Sequence, residues 1–267
     1  MLATAAFLFS ACGNDQSVGS SDGASADSTK MELREETLRY KADTTNCVSF
    51  VVYDKARSGV RPVVLVVPEW WGLNDYPKMR ARELAKLGYV AVAVDMYGEG
   101  RVGNDPQAAG ALAGPFYTDP ELVRSRLQAA MAQLHNVPQA DTTHVAMIGY
   151  CFGGTMSLTA VKLGLPLKGA ASFHGGLKGT ASANAPVLVC HGEADSMVPA
   201  ADVAAWKTSM DSLRADYTFR SYPGATHAFT NPEATAKGEK FKLPIAYNAA
   251  ADSASWMELQ TFLKKVL

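Results

Sequence analysis

The sequence predicts an α/β fold: a mostly parallel central sheet flanked by helices on both faces. Three observations carry this. Short runs rich in β-branched residues recur at Pro62 to Pro68, Tyr89 to Val94 and Val145 to Ile148, as expected of strands buried on both faces. Segments of helical periodicity lie between such runs, as crossover connections require. The chain has 267 residues, 48% of them hydrophobic, enough for one domain around one core.

In chain order, the alternation in Met31 to Tyr40 and in Val48 to Asp54 predicts two strands that pair as a hairpin. Pro62 to Pro68 is the first fully buried strand. A helix follows over Tyr76 to Leu87 and stops at Gly88. Tyr89 to Val94 is the next buried strand. A helix over Asp119 to Asn136 places Leu122, Leu127, Met131 and Leu134 on one side. Val145 to Ile148 runs as a strand into a glycine-rich turn. Lys168 to Phe173, Pro186 to Cys190 and Tyr217 to Tyr222 add three strands, and Pro199 to Leu213 and Tyr247 to Val266 two helices. No linker divides this pattern, so residues 31–267 are expected to form a single domain.

The first 30 residues differ. Leu2 to Phe9 is short, apolar and alanine-rich, and it ends in Ser10, Ala11 and Cys12, as a secretory leader does. Leu8 to Cys12 also resembles a bacterial lipoprotein cleavage box, which implies a leader over residues 1–12 and lipidation of Cys12. Residues 13–30 are rich in Ser, Gly, Asp and Ala and have little to bury, the composition of a flexible tether. An exported, lipid-anchored protein is the expectation, and a cleaved signal with a free secreted domain the alternative. A formal net charge of −1 argues against a nucleic-acid partner. Cys190 reads as a small buried apolar residue, and Cys47 and Cys190 make no disulfide framework. A monomer is expected.

The strongest local signal is Gly149-Tyr150-Cys151-Phe152-Gly153-Gly154, between a buried strand and the start of a helix. A nucleophile elbow needs this arrangement, because the sharp turn crowds the backbone and admits only glycine at its flanks. It would present the Cys151 sulfur at a helix N-terminus, where aligned peptide dipoles favour a thiolate. Asp195 follows the strand ending at Cys190, at the carboxyl edge where ligands gather in open parallel sheets. His227 follows the last strand. The α/β-hydrolase fold orders nucleophile, acid and histidine in this way, with His227 as general base and Asp195 orienting it. Singly, each has a bland alternative: a buried structural cysteine, a solvated carboxylate or helix cap, an exposed loop histidine. Their joint occurrence in this order points to a triad. His191 is expected to make local hydrogen bonds and Glu193 to face water. His174, at another strand end, is read equally as a pocket residue and as structural. Glu69, directly after a buried strand, is read as functional, with a surface carboxylate as the alternative. No His/Cys/Asp/Glu cluster has metal-ligand spacing, so no metal or cofactor is expected.

Together these motifs resemble the dienelactone hydrolase family: the elbow, the later Asp195, Gly224-Ala225-Thr226-His227-Ala228-Phe229, Pro68 to Asn74 after the third strand, and the closing stretch from Tyr247 to Trp256. The resemblance spans residues 31–267. It implies hydrolysis of an ester or lactone through a thioester acyl-enzyme, without a cofactor. It also implies that Glu69 touches the resting thiol and that the backbone N–H groups of Trp70 and Phe152 form the oxyanion hole. A general carboxylesterase or acyl transferase with the same triad, or an inactive lipid-anchored binding protein on this fold, are the other readings. Trp70, Trp71, Tyr97 and Phe229 are expected to line an aromatic pocket. Members that take the dianionic dienelactone carry arginines at two positions, matched here by Glu99 and Asn231. Neutral or aromatic esters and lactones are therefore the expected substrates, with Arg101 the nearest cation that could compensate.

Overall fold

The computed structural model describes residues 30–267. The expected leader with Cys12, and the expected tether apart from Lys30, lie outside the described residues. Among the described residues no helix is long and apolar enough to cross a membrane.

β1 (Leu33–Ala42) and β2 (Thr45–Asp54) form the expected antiparallel hairpin. β2 then lies antiparallel to β4 (Val90–Ala93). β3 (Arg61–Val67), β5 (Ala140–Tyr150), β6 (Gly169–Phe173), β7 (Val187–Gly192) and β8 (Tyr217–Tyr222) complete one eight-stranded sheet in the order β1-β2-β4-β3-β5-β6-β7-β8, parallel from β4 onward. This is the α/β-hydrolase arrangement.

Side chains alternate across the sheet, and both sides are covered. Val63, Leu65 and Val67 pack on one face with Leu127, Phe152, Met156 and Trp206. Val64 and Val66 pack on the other with Leu84, Leu259 and Phe262. Burial on both faces is why the central runs read as uninterrupted apolar sequence instead of alternating. The first face is covered by α3 (Pro120–Ala132), α4 (Phe152–Lys162) and α5 (Ala200–Ser212), the second by α1 (Asp75–Lys86) and α7 (Ala249–Val266).

Three features depart from the expected elements. The helix expected over 119–136 is split, with α3 followed by a separate 3-10 turn at Leu134–Asn136. Its buried side is Val123, Arg126, Leu127 and Ala130, while Leu122 and Met131 are only half-buried. Two helices were not expected, α2 (Pro106–Thr118) and α6 (Ala234–Phe241). α2 is well started, with Pro106 in its first turn and the Asp105 side chain accepting the Ala108 N–H at 2.8 Å. Gly110, Gly114 and Pro115, residue types that disfavour a helix interior, lie inside it.

Candidate active site

Cys151 is the single residue between the end of β5 and the start of α4, at φ 52° and ψ −117°. A non-glycine residue persists there only when its surroundings over-determine it. Two observations meet that demand. The Cys151 N–H donates to Phe173 O at 2.9 Å and to His174 Nδ1 at 3.1 Å. The backbone also closes tightly around the turn. A Cβ on Gly149 would collide with the Gly153 carbonyl, and one on Gly153 with the carbonyls of Val67 and Pro68. The sulfur is left half-buried at the N-terminus of α4.

Asp195 follows β7, and its Oδ1 accepts the Met197 N–H at 2.9 Å. Its Oδ2 accepts the His227 Nδ1–H at 2.8 Å, and both residues are buried. The loops carrying them are tied together where the Ala194 N–H donates to Ala225 O at 2.9 Å. The histidine loop is fixed from the other side as well, the Ala246 N–H donating to His227 O at 3.2 Å. With Nδ1 committed to Asp195, Nε2 is the free nitrogen of His227. It is buried, has no partner among the described residues, and belongs to a residue lining the same cavity as Cys151. Burial alone would lower the His227 pKa. The neighbouring Cys151 and the hydrogen bond and charge of Asp195 together outweigh it and push the imidazole up to about 10.

Glu69 lines this cavity too, with 2% of its surface exposed. Its Oε2 accepts from Asn231 Nδ2 at 2.7 Å, while Oε1 has no partner among the described residues. Burial raises its pKa above the usual carboxylate range. The contact expected from Glu69 to the thiol is therefore replaced by one to Asn231. The Trp70 and Phe152 N–H groups donate to no other group among the described residues.

The cavity has a volume of about 470 Å³. Of the residues expected around the substrate, Trp70 and Trp71 line it; Tyr97, Phe229, Arg101 and His174 do not. Tyr97 is buried against Phe116 and Phe152, and its hydroxyl donates to Trp70 O at 2.9 Å. Phe229 is fully buried between His174 and Tyr222. Arg101 folds onto the carbonyls of Gly98 and Tyr97, and neither it nor Glu99 lines the cavity. His174 lies beneath the elbow. Because its Nδ1 accepts from Cys151, its Nε2–H donates to Thr230 Oγ1 at 2.7 Å. Burial, and then the nearby charges of His227 and Arg80, hold its pKa well below the usual histidine value. Arg80 extends this buried network, donating to Thr230 O at 2.7 Å and pairing with Asp252 and Glu83. His191 packs against Phe219 with the rings tilted at 47°, and Glu193 is exposed.

The remaining walls were not anticipated. One side is α2, through Gly110, Ala113, Gly114 and Tyr117; the other includes Leu177, Met197 and Val198, with Lys178 exposed at the rim. The α2 face was legible in principle, since positions 110, 113, 114 and 117 follow the i, i+3, i+4, i+7 spacing of one helix side.

Residues 49–267 match the model of the "Dienelactone hydrolase family". Among curated proteins, the chain is similar to a "Putative carboxymethylenebutenolidase" of Methylorubrum extorquens, 31% identical over 189 residues that cover 65% of each chain, just under two thirds of that relative's length. A protein of the same name from Synechocystis is 26% identical over 227 residues, covering 78% of this chain and 88% of that one. Among solved structures, a dienelactone hydrolase-like promiscuous phosphotriesterase from metagenomic libraries is 34% identical with a TM-score of 0.81, covering 88% of this chain and 98% of that one.

Proposed function

The chain belongs to the dienelactone hydrolase family, and from that membership and the geometry of its cavity we propose that it hydrolyses carboxylic esters or lactones with Cys151 as nucleophile, His227 as general base and Asp195 as the acid that orients it. The observation that carries this reading is the unpartnered Nε2 of His227, buried beside the Cys151 cavity while Nδ1 is held by Asp195. In the proposed cycle His227 Nε2 takes the thiol proton and the sulfur attacks the ester carbonyl carbon. The carbonyl oxygen becomes an oxyanion, and the unengaged N–H groups of Trp70 and Phe152 are the donors suited to it. Collapse expels the alcohol, which receives the proton from His227, and leaves a thioester on Cys151. Water, deprotonated by His227, attacks the thioester; the acid departs and the thiol is restored. A Cys151→Ala variant tests this. It should still fold, as a cooperative thermal melt would show, and lose turnover of aryl esters; wild-type turnover in that variant would refute the mechanism.

The substrates we propose are neutral or aromatic esters and lactones in preference to the dianionic dienelactone. No arginine lines the cavity among the described residues, and Asn231, at one of the two arginine positions, is bonded to Glu69. Lys178 at the rim is the cation a carboxylate would meet. Competition between phenyl acetate and a dienelactone reads the preference, and a higher kcat/KM for the dienelactone would reverse it. The panel should include a neutral aryl phosphotriester, given the activity named for the metagenomic neighbour, and an alcohol acceptor to detect acyl transfer. We further propose that lipidated Cys12 anchors the protein outside the cytoplasm. Equal amounts of wild type and Cys12→Ser in the soluble fraction would refute that.

A further inference from the structure

We propose that the α2 face formed by Gly110, Ala113, Gly114 and Tyr117 is the seat of a flat aromatic group of the substrate, and that Gly114 sets the size of group the enzyme accepts. The inference rests on the hydrolase reading above and specifies its substrate class.

These four residues line the cavity that contains Cys151. Two other residues that line this cavity carry a buried polar atom with no hydrogen-bond partner among the described residues: His227 at Nε2, which the proposed mechanism turns to Cys151, and Glu69 at Oε1. α2 forms one wall of the space beside them. Two glycines within a helix are costly relative to alanine, so their presence calls for a reason. Backbone conformation does not supply one, because neither has a positive φ. Packing does not supply one either: a Cβ on Gly114 would meet nothing within 4 Å, and one on Gly110 would only touch the Trp70 ring at 4.0 Å. Elsewhere in this chain glycines are forced by collision, as at Gly149 and Gly153. At Gly114 the omitted side chain leaves open volume inside the cavity.

The borders of that volume define what fills it. Tyr117 stands over Phe152 with ring centroids 5.6 Å apart, and Trp70 approaches Gly110. No charged group belongs to this face. A small-residue floor between two aromatic side chains suits an uncharged planar ring, which gains both area burial and offset ring contacts. The opposite side of α2 is unavailable for this purpose, since Ala111 faces solvent and Phe116 packs in the core.

The test compares wild type with Gly114→Ala, Gly114→Leu and, as a control on the solvent side, Ala111→Leu. Two readouts are taken. The first is the ratio of kcat/KM for phenyl acetate and for vinyl benzoate to that for vinyl acetate. The second needs no turnover: the ratio of Cys151 alkylation rates by phenacyl bromide and by iodoacetamide. Gly114→Leu should lower the alkylation ratio and at least one ester ratio tenfold or more, with Ala111→Leu unchanged. Gly114→Ala should raise the melting temperature, the opposite of what a glycine required by packing would give. Unchanged ratios in Gly114→Leu, or equal changes in Gly114→Leu and Ala111→Leu, would overturn the inference. Absence of ester turnover in wild type would instead count against the hydrolase reading, and the alkylation ratio would still decide the role of Gly114.

Discussion

Replacing Asp195 by Asn isolates the step on which the proposed mechanism depends. Asp195 Oδ1 accepts the Met197 N–H at 2.9 Å and Oδ2 accepts from His227 Nδ1 at 2.8 Å. Asparagine can keep the first bond only by turning its amide NH2 toward His227. The imidazole must then accept at Nδ1 and carry its proton on Nε2, where it cannot take the Cys151 proton. If the proton does transfer, the imidazolium is buried without a countercharge. Removing one partner of a buried ion pair costs about 3–5 kcal/mol, and each ~1.4 kcal/mol is a factor of ten in rate. The expected loss in kcat is therefore about 10²–10⁴-fold. Because the His227 pKa is raised to about 10, the resting imidazole at neutral pH also carries the charge that Asp195 balances, so the variant should lose stability as well as rate and the melting temperature should fall measurably. Phenyl acetate hydrolysis followed by pH-stat, with a thermal melt on the same sample, measures both. A folded variant with kcat within tenfold of wild type would refute the orienting role of Asp195.

The other predictions rest on separate contacts. His227 is raised to about 10 from the usual 6.5, so its contribution to stability is full below about 6.5 and is lost as pH rises through about 10. Removing the sulfur in Cys151→Ala should lower that pKa and shrink the stability lost across this window, as read by urea midpoints at pH 6 and pH 10; an identical loss in both proteins would refute the coupling. Gly149→Ala places a methyl on the Gly153 carbonyl and should destabilise the fold by about 1–3 kcal/mol or more, visible as a lowered urea midpoint. Arg80→Met strips Asp252 of its buried partner and Thr230 of a donor; a loss of about 3–5 kcal/mol is expected, and Arg80→Met with Asp252→Leu should recover part of it. Arg101→Ala should leave the ratio of anionic to neutral ester kcat/KM within about twofold, because Arg101 lies outside the cavity, whereas Lys178→Ala should lower that ratio.

What could be read from the sequence was what depends on short stretches of chain. The strands buried on both faces announce themselves as apolar runs because each residue of Val63 to Val67 is covered by one core or the other. The elbow is equally local: Gly149 and Gly153 are forced by the same turn that strains Cys151. Chain order then pointed to Asp195 and His227, which the structure brings within hydrogen-bond contact, since each parallel strand delivers its following loop to the same sheet edge.

Side-chain destination was harder to read, because it is set by partners far away in the chain. Tyr97 and Phe229 look like pocket aromatics, yet a loop beside an active site needs a buried anchor, and each of them supplies it. His174 has a catalytic residue type and a catalytic location. Its Nδ1 is nevertheless spent on the Cys151 N–H, which makes it a brace for the strained turn at Cys151. Glu69 meets Asn231 across 162 positions of sequence, a pairing no local pattern announces. The same pairing changes how the missing arginine reads. An arginine at position 231 would have offered a charge to Glu69 as well as to a substrate carboxylate. With asparagine there, the buried carboxyl keeps one unpartnered oxygen and a raised pKa. Asparagine at 231 thus leaves the buried Glu69 beside the cavity short of a countercharge, which is the physical ground for the proposed preference against substrates that bring negative charge of their own.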